Sequence, residues 1–468
     1  MKWLKPKEYL QRRYDASSSD MWRNVIKITW PAFIELVMST LFGMINMIMV
    51  GHLGPVAIAS IGLTNQPFML FIAIFAAVNV GTTALVAWNI GANKVKKALA
   101  IVRQTLIINV ALGLVTTILG ILSARYIVTF MGANDETIVH AINYFKIIAV
   151  GLIFQGLLMG ITASLRGAGE TKIPMLYNVG SNLLNVFGNY VLIYGRFGFP
   201  KWGVEGAAVS TTIARFIALI IALYVLYKGK NTKIHLSIKD DYKIDFSIIK
   251  RIFSIGLPSA LEQFVMQGGL ILFAKTVAGL GTAAYAAHQI GLNISGLTFA
   301  PSMAFGVAAT TLVGQSLGAK DLELADRYAN VVHHMAIVVA CIMGFIFILF
   351  SYPMARIYTK DLAVAAMAGT VLKIMALSQP GQSTQMSLAG ALRGAGDTVY
   401  PLYASFVGIW VFRVAVAYIF VNVFHLGLVG AWMALVLDQY TRSAIVYFRF
   451  HSGKWKYVRD KTKNVQVS

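Results

Sequence analysis

The chain has 468 residues, of which 57% are hydrophobic and only 13% are charged. A soluble domain carries about a quarter charged residues, so this composition excludes an ordinary soluble protein. The mean hydropathy of +0.68, together with apolar runs long enough to cross a hydrocarbon core of about 30 Å as helix, predicts an all-α integral membrane protein.

Twelve transmembrane helices are predicted in chain order. The first six spans are 25–50, 58–87, 101–123, 137–164, 172–195 and 205–227. The second six are 252–279, 285–314, 328–351, 363–391, 399–422 and 428–448. Six spans in each half give both halves the same orientation in the membrane, so the halves are parallel repeats rather than inverted ones.

The formal net charge of +21 is concentrated on one side of this topology. Lys and Arg crowd the segments 1–24, 228–251 and 449–468, whereas the opposite loops hold few of them. An excess of basic residues marks the cytoplasmic side, so we expect a multi-pass protein of the cell membrane with both termini in the cytoplasm. Attraction to anionic membrane lipid accounts for the charge, and no nucleic-acid partner is predicted.

The distribution of charge and apolar sequence also predicts the boundaries of the domains. These are a cytoplasmic N-terminal segment 1–24, an N-lobe 25–227, a cytoplasmic linker 228–251, a C-lobe 252–448 and a basic cytoplasmic tail 449–468. The single cysteine, Cys341, lies inside an apolar span and supports neither a disulfide nor a zinc site. No metal site and no cofactor is predicted.

The two halves repeat each other at an offset of 227 positions. Pro31 returns as Pro258, and Glu35 returns as Glu262. A duplicated hydrophobic chain predicts two pseudo-symmetric six-helix lobes, which in membranes is the usual architecture of a transporter. Each proline removes a backbone donor and therefore marks the start of a helix or a kink in it.

A glycine-rich motif follows span four and span ten. Its two copies are Arg166-Gly167-Ala168-Gly169-Glu170-Thr171 and Arg393-Gly394-Ala395-Gly396-Asp397-Thr398. The glycines permit a tight turn, and each acid lies four residues after its arginine, close enough to pair with it. We expect a structural role as a fixed hairpin and cytoplasmic anchor, since the Walker pattern of ATP-binding loops is missing.

Three acidic residues lie well inside predicted spans: Glu35, Glu262 and Asp438. A buried ionised carboxylate is costly, so an intramembrane acid is a functional candidate. The two glutamates lie about ten residues into their spans, or roughly 15 Å, near the bilayer midplane. The structural alternative is a buried glutamate that hydrogen-bonds to a neighbouring helix and holds the bundle together. Asp438 has no acidic counterpart in the other half.

Ion coupling is the chemistry that a buried glutamate could perform. Burial favours the neutral carboxyl and a nearby cation favours the charged one. A proton would therefore compete with Na⁺ or with a cationic substrate for binding to Glu35 or Glu262. Such competition is what an antiporter requires. The residues leave open whether the coupling ion is Na⁺ or H⁺.

Neutral polar side chains also repeat inside the spans. Gln155 corresponds to Gln382, and Gln66 corresponds to Asn293. Amides in membrane helices often hold neighbouring helices together, at about 1 kcal/mol or less. That role and a role in lining a substrate cavity remain open alternatives.

The chain resembles the bacterial type of the MATE (multidrug and toxic compound extrusion) family at two motifs. One is the doubled Leu-Arg-Gly-Ala-Gly-[Glu/Asp]-Thr-x-x-Pro at 165–174 and 392–401, and the other is Val-Gly-His-Leu-Gly at 50–54. The resemblance implies two six-helix lobes that form a V and alternate in access. We expect a monomer, although the sequence leaves the oligomeric state open. It also implies export of drugs or organic cations in exchange for Na⁺ or H⁺.

The resemblance points to further site positions, although the acids of the family are not present there. Asn46 stands where many relatives have an aspartate, Met266 where some have a glutamate, and Gln382 where others have an aspartate. We therefore expect the substrate site to be lined by Asn46, Gln66, Gln155, Met266, Asn293 and Gln382. Glu35 and Glu262 remain as the coupling candidates.

Two other functions were considered. A flippase for a lipid-linked precursor would favour a strongly cationic cavity and extra spans. An intramembrane enzyme would need clustered acids, histidines or a nucleophile at one depth, and His288, His333 and His334 lack metal-ligand spacing and are expected at the interface. The sequence therefore favours a transporter and not an enzyme.

Overall fold

The computed structural model describes residues 18–229, 232–237 and 240–458. In this part of the chain the secondary structure is helical, and twelve long helices confirm the predicted fold class. The first six are α1 (Ser18–Gly51), α2 (Pro55–Gly91), α3 (Val95–Phe130), α4 (Ile138–Gly167), α5 (Lys172–Tyr194) and α6 (Gly203–Lys228). The second six are α7 (Phe246–Ala278), α8 (Thr282–Gly318), α9 (Leu322–Tyr358), α10 (Leu362–Ala395), α11 (Val399–Asn422) and α12 (Gly427–His451).

Most of the predicted N-terminal segment 1–24 and half of the predicted tail 449–468 lie outside the described residues. Nine of the described helices are long and apolar enough to cross a membrane. The other three are α5, α7 and α12. Asparagines recur along α5, and charged residues interrupt α12. These two helices are therefore less apolar than the nine.

The turns between helices repeat along with the helices. Gly54 before α2 has φ 104° and Gly281 before α8 has φ 99°. Gly169 after α4 and Gly396 after α10 have φ 83° and 84°. Glycine adopts this left-handed region without the steric cost that a Cβ would bring. The tight turn predicted for the glycine-rich motif is therefore made by its second glycine.

The chain forms two compact units that divide inside α1 and α7. One unit runs from Ile34 to Ala260, and the other joins Leu261 onward to the residues up to Phe33. Each division falls two residues after the repeated proline, so Pro31 and Pro258 lie inside long helices and do not start them. The predicted lobes 25–227 and 252–448 correspond to the two sequence repeats. The compact units differ from these lobes because the first part of α1 belongs to the unit of α8–α12 and the first part of α7 belongs to the unit of α2–α6.

The unit of Ile34–Ala260 is built around α4, which packs on α2, α3 and α6. Its cores contain buried aromatic side chains such as Phe75, Trp88 and Phe145. Ile252 and Ile255 from the first part of α7 are fully buried in the same unit. Burial of large apolar side chains contributes roughly 1.5–3 kcal/mol each, so this part of α7 is integral to the unit.

The other unit has the equivalent arrangement around α10, which packs on α8, α9 and α12. Met21, Val25 and Ile28 from the first part of α1 are buried in its core. Trp455, in the short 3₁₀ turn after α12, stacks on Phe450 in that core at 5.1 Å between ring centroids. Each unit therefore consists of five complete helices together with parts of α1 and α7.

The described part of the linker packs on the unit of Ile34–Ala260. Ile234 and Leu236 are buried in its core. The Gln104 side chain of α3 donates to the carbonyl of Lys243 at 2.7 Å, and its oxygen accepts from the backbone N–H of Asp245 at 3.1 Å. The described residues of the linker are thus anchored to the unit at several points.

Candidate functional site

Glu35 lies buried in α1, four residues after Pro31, with 7% of its surface exposed. Its Oε1 accepts hydrogen bonds from Nη2 of Arg166 at 2.9 Å and from Nδ2 of Asn178 at 2.7 Å. Its Oε2 is buried and has no hydrogen-bond partner. The carboxylate is therefore satisfied on one oxygen and unsatisfied on the other.

Glu262 has the equivalent position in α7 and is 2% exposed. Nη2 of Arg393 donates to its Oε1 at 2.9 Å and to its Oε2 at 2.8 Å. The Ser405 hydroxyl donates to Oε1 at 3.0 Å. The arginine is the repeat equivalent of Arg166, and the serine stands at the repeat position of Asn178. Both oxygens of Glu262 are thus paired, unlike those of Glu35.

The predicted pairing inside the glycine-rich motif is wrong. Glu170 accepts from the backbone N–H of Lys233, and Asp397 pairs with Arg449 at 2.7 Å. The arginines instead pair with the buried glutamates of α1 and α7.

The partners of the two glutamates come from the ends of their helices. Arg166 and Arg393 lie in the last turns of α4 and α10. Glu35 and Glu262 themselves lie midway along α1 and α7. Their expected position near the bilayer midplane stays a prediction.

The first glycine of each motif lets helices approach closely. A Cβ at Gly167 would lie 2.7 Å from the carbonyl oxygen of Thr83 in α2, and one at Gly394 would lie 2.5 Å from that of Thr310 in α8. These distances are shorter than van der Waals contact. The two glycines therefore hold the arginine-bearing ends of α4 and α10 against α2 and α8, which fixes where the guanidinium groups lie.

Asn46 belongs to a hydrogen-bonded network of neutral side chains. Its Nδ2 donates to Oδ1 of Asn185 at 2.6 Å, and its Oδ1 accepts from Nδ2 of Asn189 at 2.9 Å. Asn185 also donates to Ser210 and Thr211 of α6. The network joins α1, α5 and α6, and it contains no charge.

The remaining predicted site residues differ in burial. Gln382 is buried and its Nε2 has no partner, whereas Gln155 and Met266 are partly buried. Gln66 and Asn293 are exposed, and Asn293 donates to the Gln289 carbonyl of its own helix. Only Asn46 among these six has a described side-chain hydrogen bond to another helix. Their role as a substrate lining stays a prediction.

Sequence reasoning missed three arginines that lie inside helices: Arg215, Arg413 and Arg442. Arg215 lies over the ring of Phe68 at 5.0 Å, and its buried Nη1 has no hydrogen-bond partner. Arg413 and Arg442 both pair with Asp438. An arginine between apolar residues in α6, α11 or α12 was a visible signal, since charged residues inside membrane helices are rare and functional.

The expected interface position of His288 is wrong. This residue is fully buried, and its ring contacts Phe273 and Trp432 edge-on, with centroids 5.5 and 5.6 Å away. Its position in the second turn of a long apolar helix does not distinguish a buried site from one at the membrane interface.

A family model described as MatE matches residues 31–191 and 258–419. Both matches begin at the repeated prolines and together cover most of the chain. The chain belongs to the MatE family. A relative from Thermotoga maritima, described as a probable multidrug resistance protein NorM, is 34% identical over 434 residues, which are 93% of each chain. The multidrug resistance protein NorM of Vibrio cholerae is 27% identical over 88% of this MatE chain and 92% of its own.

Solved structures share the fold. A MATE crystal structure in the bent conformation has a TM-score of 0.88 and 24% identity, covering 99% of this chain and 100% of its own. An outward-facing multidrug resistance MATE transporter has a TM-score of 0.88 and 23% identity, covering 97% and 100%. At this identity the likeness establishes the twelve-helix fold of this MatE protein.

Proposed function

We propose that this MatE protein is a secondary active exporter that moves amphipathic organic cations out of the cell by alternating access, in exchange for H⁺ taken up at Glu35. Family membership supports transport, and the names of the Thermotoga and Vibrio relatives support drugs as the substrate class. Solved structures of the same fold in bent, straight and outward-facing conformations support alternating access.

The observation that carries the choice of Glu35 is its unpaired Oε2. A buried oxygen with no donor leaves part of the carboxylate charge uncompensated. A proton on Oε2 removes that charge without breaking a hydrogen bond to this oxygen. The hydrogen bonds from Arg166 and Asn178 are to Oε1, so they remain in place when Oε2 carries a proton.

Glu262 has the geometry of a permanent ion pair. Arg393 contacts both of its oxygens and Ser405 contacts one. Protonation would disrupt a contact on either oxygen, and hydrogen bonds to a charged group are each worth roughly 1.5–3 kcal/mol. Glu262 therefore holds α7 to the C-terminal end of α10 through its ion pair with Arg393.

The same contacts favour H⁺ over Na⁺. Na⁺ requires several oxygen ligands, but the groups around Oε1 of Glu35 are a guanidinium and an amide nitrogen, both donors. A proton needs no such shell.

Transport into inverted vesicles tests the proposal. Uptake of a fluorescent organic cation is measured with an imposed H⁺ gradient and, separately, with an imposed Na⁺ gradient. We expect the H⁺ gradient to drive uptake in the wild type. Glu35→Gln should lower H⁺-driven uptake at least tenfold, because the amide keeps the hydrogen bonds but cannot exchange a proton.

Two variants serve as comparisons in the same assay. Glu262→Gln should lose stability yet keep the dependence of transport on the H⁺ gradient. Glu136→Gln, in the exposed turn before α4, is the matched control and should behave as the wild type. Uptake driven by Na⁺ alone, or full H⁺-driven uptake by Glu35→Gln, would contradict the proposal.

A flippase for a lipid-linked precursor is not favoured. The relatives reported above are named for multidrug resistance, and one of the positive charges inside the helices is neutralised by Asp438.

A further inference from the structure

Three charged side chains lie buried together in the unit that contains α8 to α12. Asp438 is fully buried, Arg442 is 2% exposed and Arg413 is 6% exposed. Nη2 of Arg413 lies 2.5 Å from Oδ2 of Asp438. Nη2 of Arg442 donates to the same oxygen at 3.2 Å, and its Nε lies 2.9 Å from Oδ1. One carboxylate therefore bridges two guanidinium groups from α11 and α12.

The charges of this cluster do not balance. Two guanidinium groups and one carboxylate leave one positive charge, and among the described residues Asp438 is the acid within 4.0 Å of either arginine. Nε of Arg413 and Nη1 of Arg442 are buried donors without a hydrogen-bond partner. An uncompensated charge in a low-dielectric interior is strongly unfavourable, so a further negative charge is missing from the cluster.

The other half of the chain shows that the fold itself does not need these charges. The repeat positions of Arg413, Asp438 and Arg442 are Val186, Ala214 and Ala218, with offsets of 227 in α11 and 224 in α12. Small or apolar residues fill the same places there. The charged cluster is therefore an addition to the repeat and not a requirement of its packing.

The backbone of α11 is altered at the same place. Residues Val407–Val416 form a π-helix, whereas α5 at the equivalent position is α-helical. Gly408, inside the π-helix, approaches so closely that a Cβ would lie 2.4 Å from Oδ1 of Asp438. Wider turns of this kind occur frequently at functional sites. Here the wider turn carries both Gly408 and Arg413 against the carboxylate.

We propose that the Arg413–Asp438–Arg442 cluster is an internal binding site for a small monovalent anion, of which chloride is the abundant example. The free Nε of Arg413 and Nη1 of Arg442 are its donors, and the anion completes the charge balance. The side chains are almost completely buried, which excludes a drug-sized ligand and selects a small ion. The anion stabilises the packing of α11 on α12.

Thermal unfolding of the purified protein tests the site at constant ionic strength. Chloride is exchanged stepwise for gluconate, which is too large for a buried site. The wild-type unfolding midpoint should rise with chloride, by about 1–2 °C for each tenfold increase above the dissociation constant. Bromide should replace chloride, and its anomalous scattering in a crystal should mark a position beside Arg442.

Variants of the two arginines distinguish an anion site from a general salt effect. Arg442→Gln and Arg413→Gln each leave one guanidinium paired with Asp438, so the remaining charges balance and the midpoint should no longer respond to chloride. Lys373→Gln, an exposed charge on α10, is the matched control and should keep the response. A wild-type midpoint that does not depend on chloride, or a response that persists in both arginine variants, would overturn the proposal. None of these measurements depends on transport.

Discussion

Glu35 and Glu262 occupy the same position of the repeat, yet their surroundings differ by single side chains. Asn178 stands beside the first and Ser405 beside the second, and the two arginines contact their carboxylates differently. One unpaired oxygen is the result of that difference. At the scale of residues, the duplication has therefore produced two glutamates suited to different roles.

The amide of Asn178 is a donor to Oε1 of Glu35. Asn178→Ala removes this hydrogen bond, and a hydrogen bond to a charged group is worth roughly 1.5–3 kcal/mol, so we expect H⁺-driven cation export in inverted vesicles to fall about tenfold. Ser405→Ala, the matched change at Glu262, should leave export unchanged. An equal loss in both variants would contradict the assignment of exchange to Glu35.

The stability of the protein should depend on pH through the carboxyl group of Glu170. Burial raises the pKa of its carboxyl above the ordinary value of 4.5, although the backbone N–H and the charge of Lys233 oppose this. Because the folded-state pKa is the higher one, the stabilising contribution is complete below the unfolded value and is lost as the pH rises through the folded value.

Glu170→Gln should remove this dependence, because the amide still accepts from Lys233 but does not ionise. Unfolding midpoints are compared between about pH 4 and pH 7, and the midpoint of the variant should fall less than that of the wild type as the pH rises. Glu136→Gln is the exposed control. Parallel curves for wild type and Glu170→Gln would show that ionisation of Glu170 does not affect stability.

At the scale of helices, the ends of α4 and α10 determine where the ion pairs lie. Gly167 and Gly394 bring these ends against the carbonyl groups of Thr83 and Thr310, which are themselves repeat equivalents. Each arginine then reaches a glutamate on α1 or α7. The close contact of two helices is thus the condition for the ion pair.

Gly167→Ala and Gly394→Ala should each destabilise the protein by about 1–3 kcal/mol, the usual cost of an oversized group in a packed interior. Thermal unfolding in detergent measures the effect. Gly180→Ala in α5 and Gly296→Ala in α8 are matched controls, because nothing lies within 4 Å of a Cβ at either position. The controls should be neutral or stabilising, since alanine favours a helix over glycine. Equal effects at all four positions would contradict the role of close packing.

At the scale of the whole molecule, neither half of the chain completes a unit by itself. The core of the Ile34–Ala260 unit includes Ile252 and Ile255 of α7, and the core of the other unit includes Met21 and Val25 of α1. The repeats have thus exchanged the first parts of these helices.

A chain divided within the linker should therefore fold only when both halves are present. We expect residues 1–237 and 240–468 to be degraded or to aggregate when each is expressed alone, because each would expose an apolar groove. Co-expression should restore a monodisperse complex on size-exclusion chromatography. A single half that purifies as a stable monomer would contradict the exchange.

The sequence determined the features that depend on local composition and on repetition. Apolar length predicted twelve helices because a hydrocarbon core rejects unpaired backbone groups, and the offset of 227 positions predicted that Glu35 and Glu262 would have equivalent neighbours. Tertiary structure alone decided which neighbours these are. Arg166 lies 131 residues from Glu35 in the chain, and Arg413 and Asp438 lie on different helices. Only the packing of α4 and the wider turn of α11 bring these charges together. Charge pairs of this kind depend on distances of a few ångströms, which neither composition nor periodicity specifies.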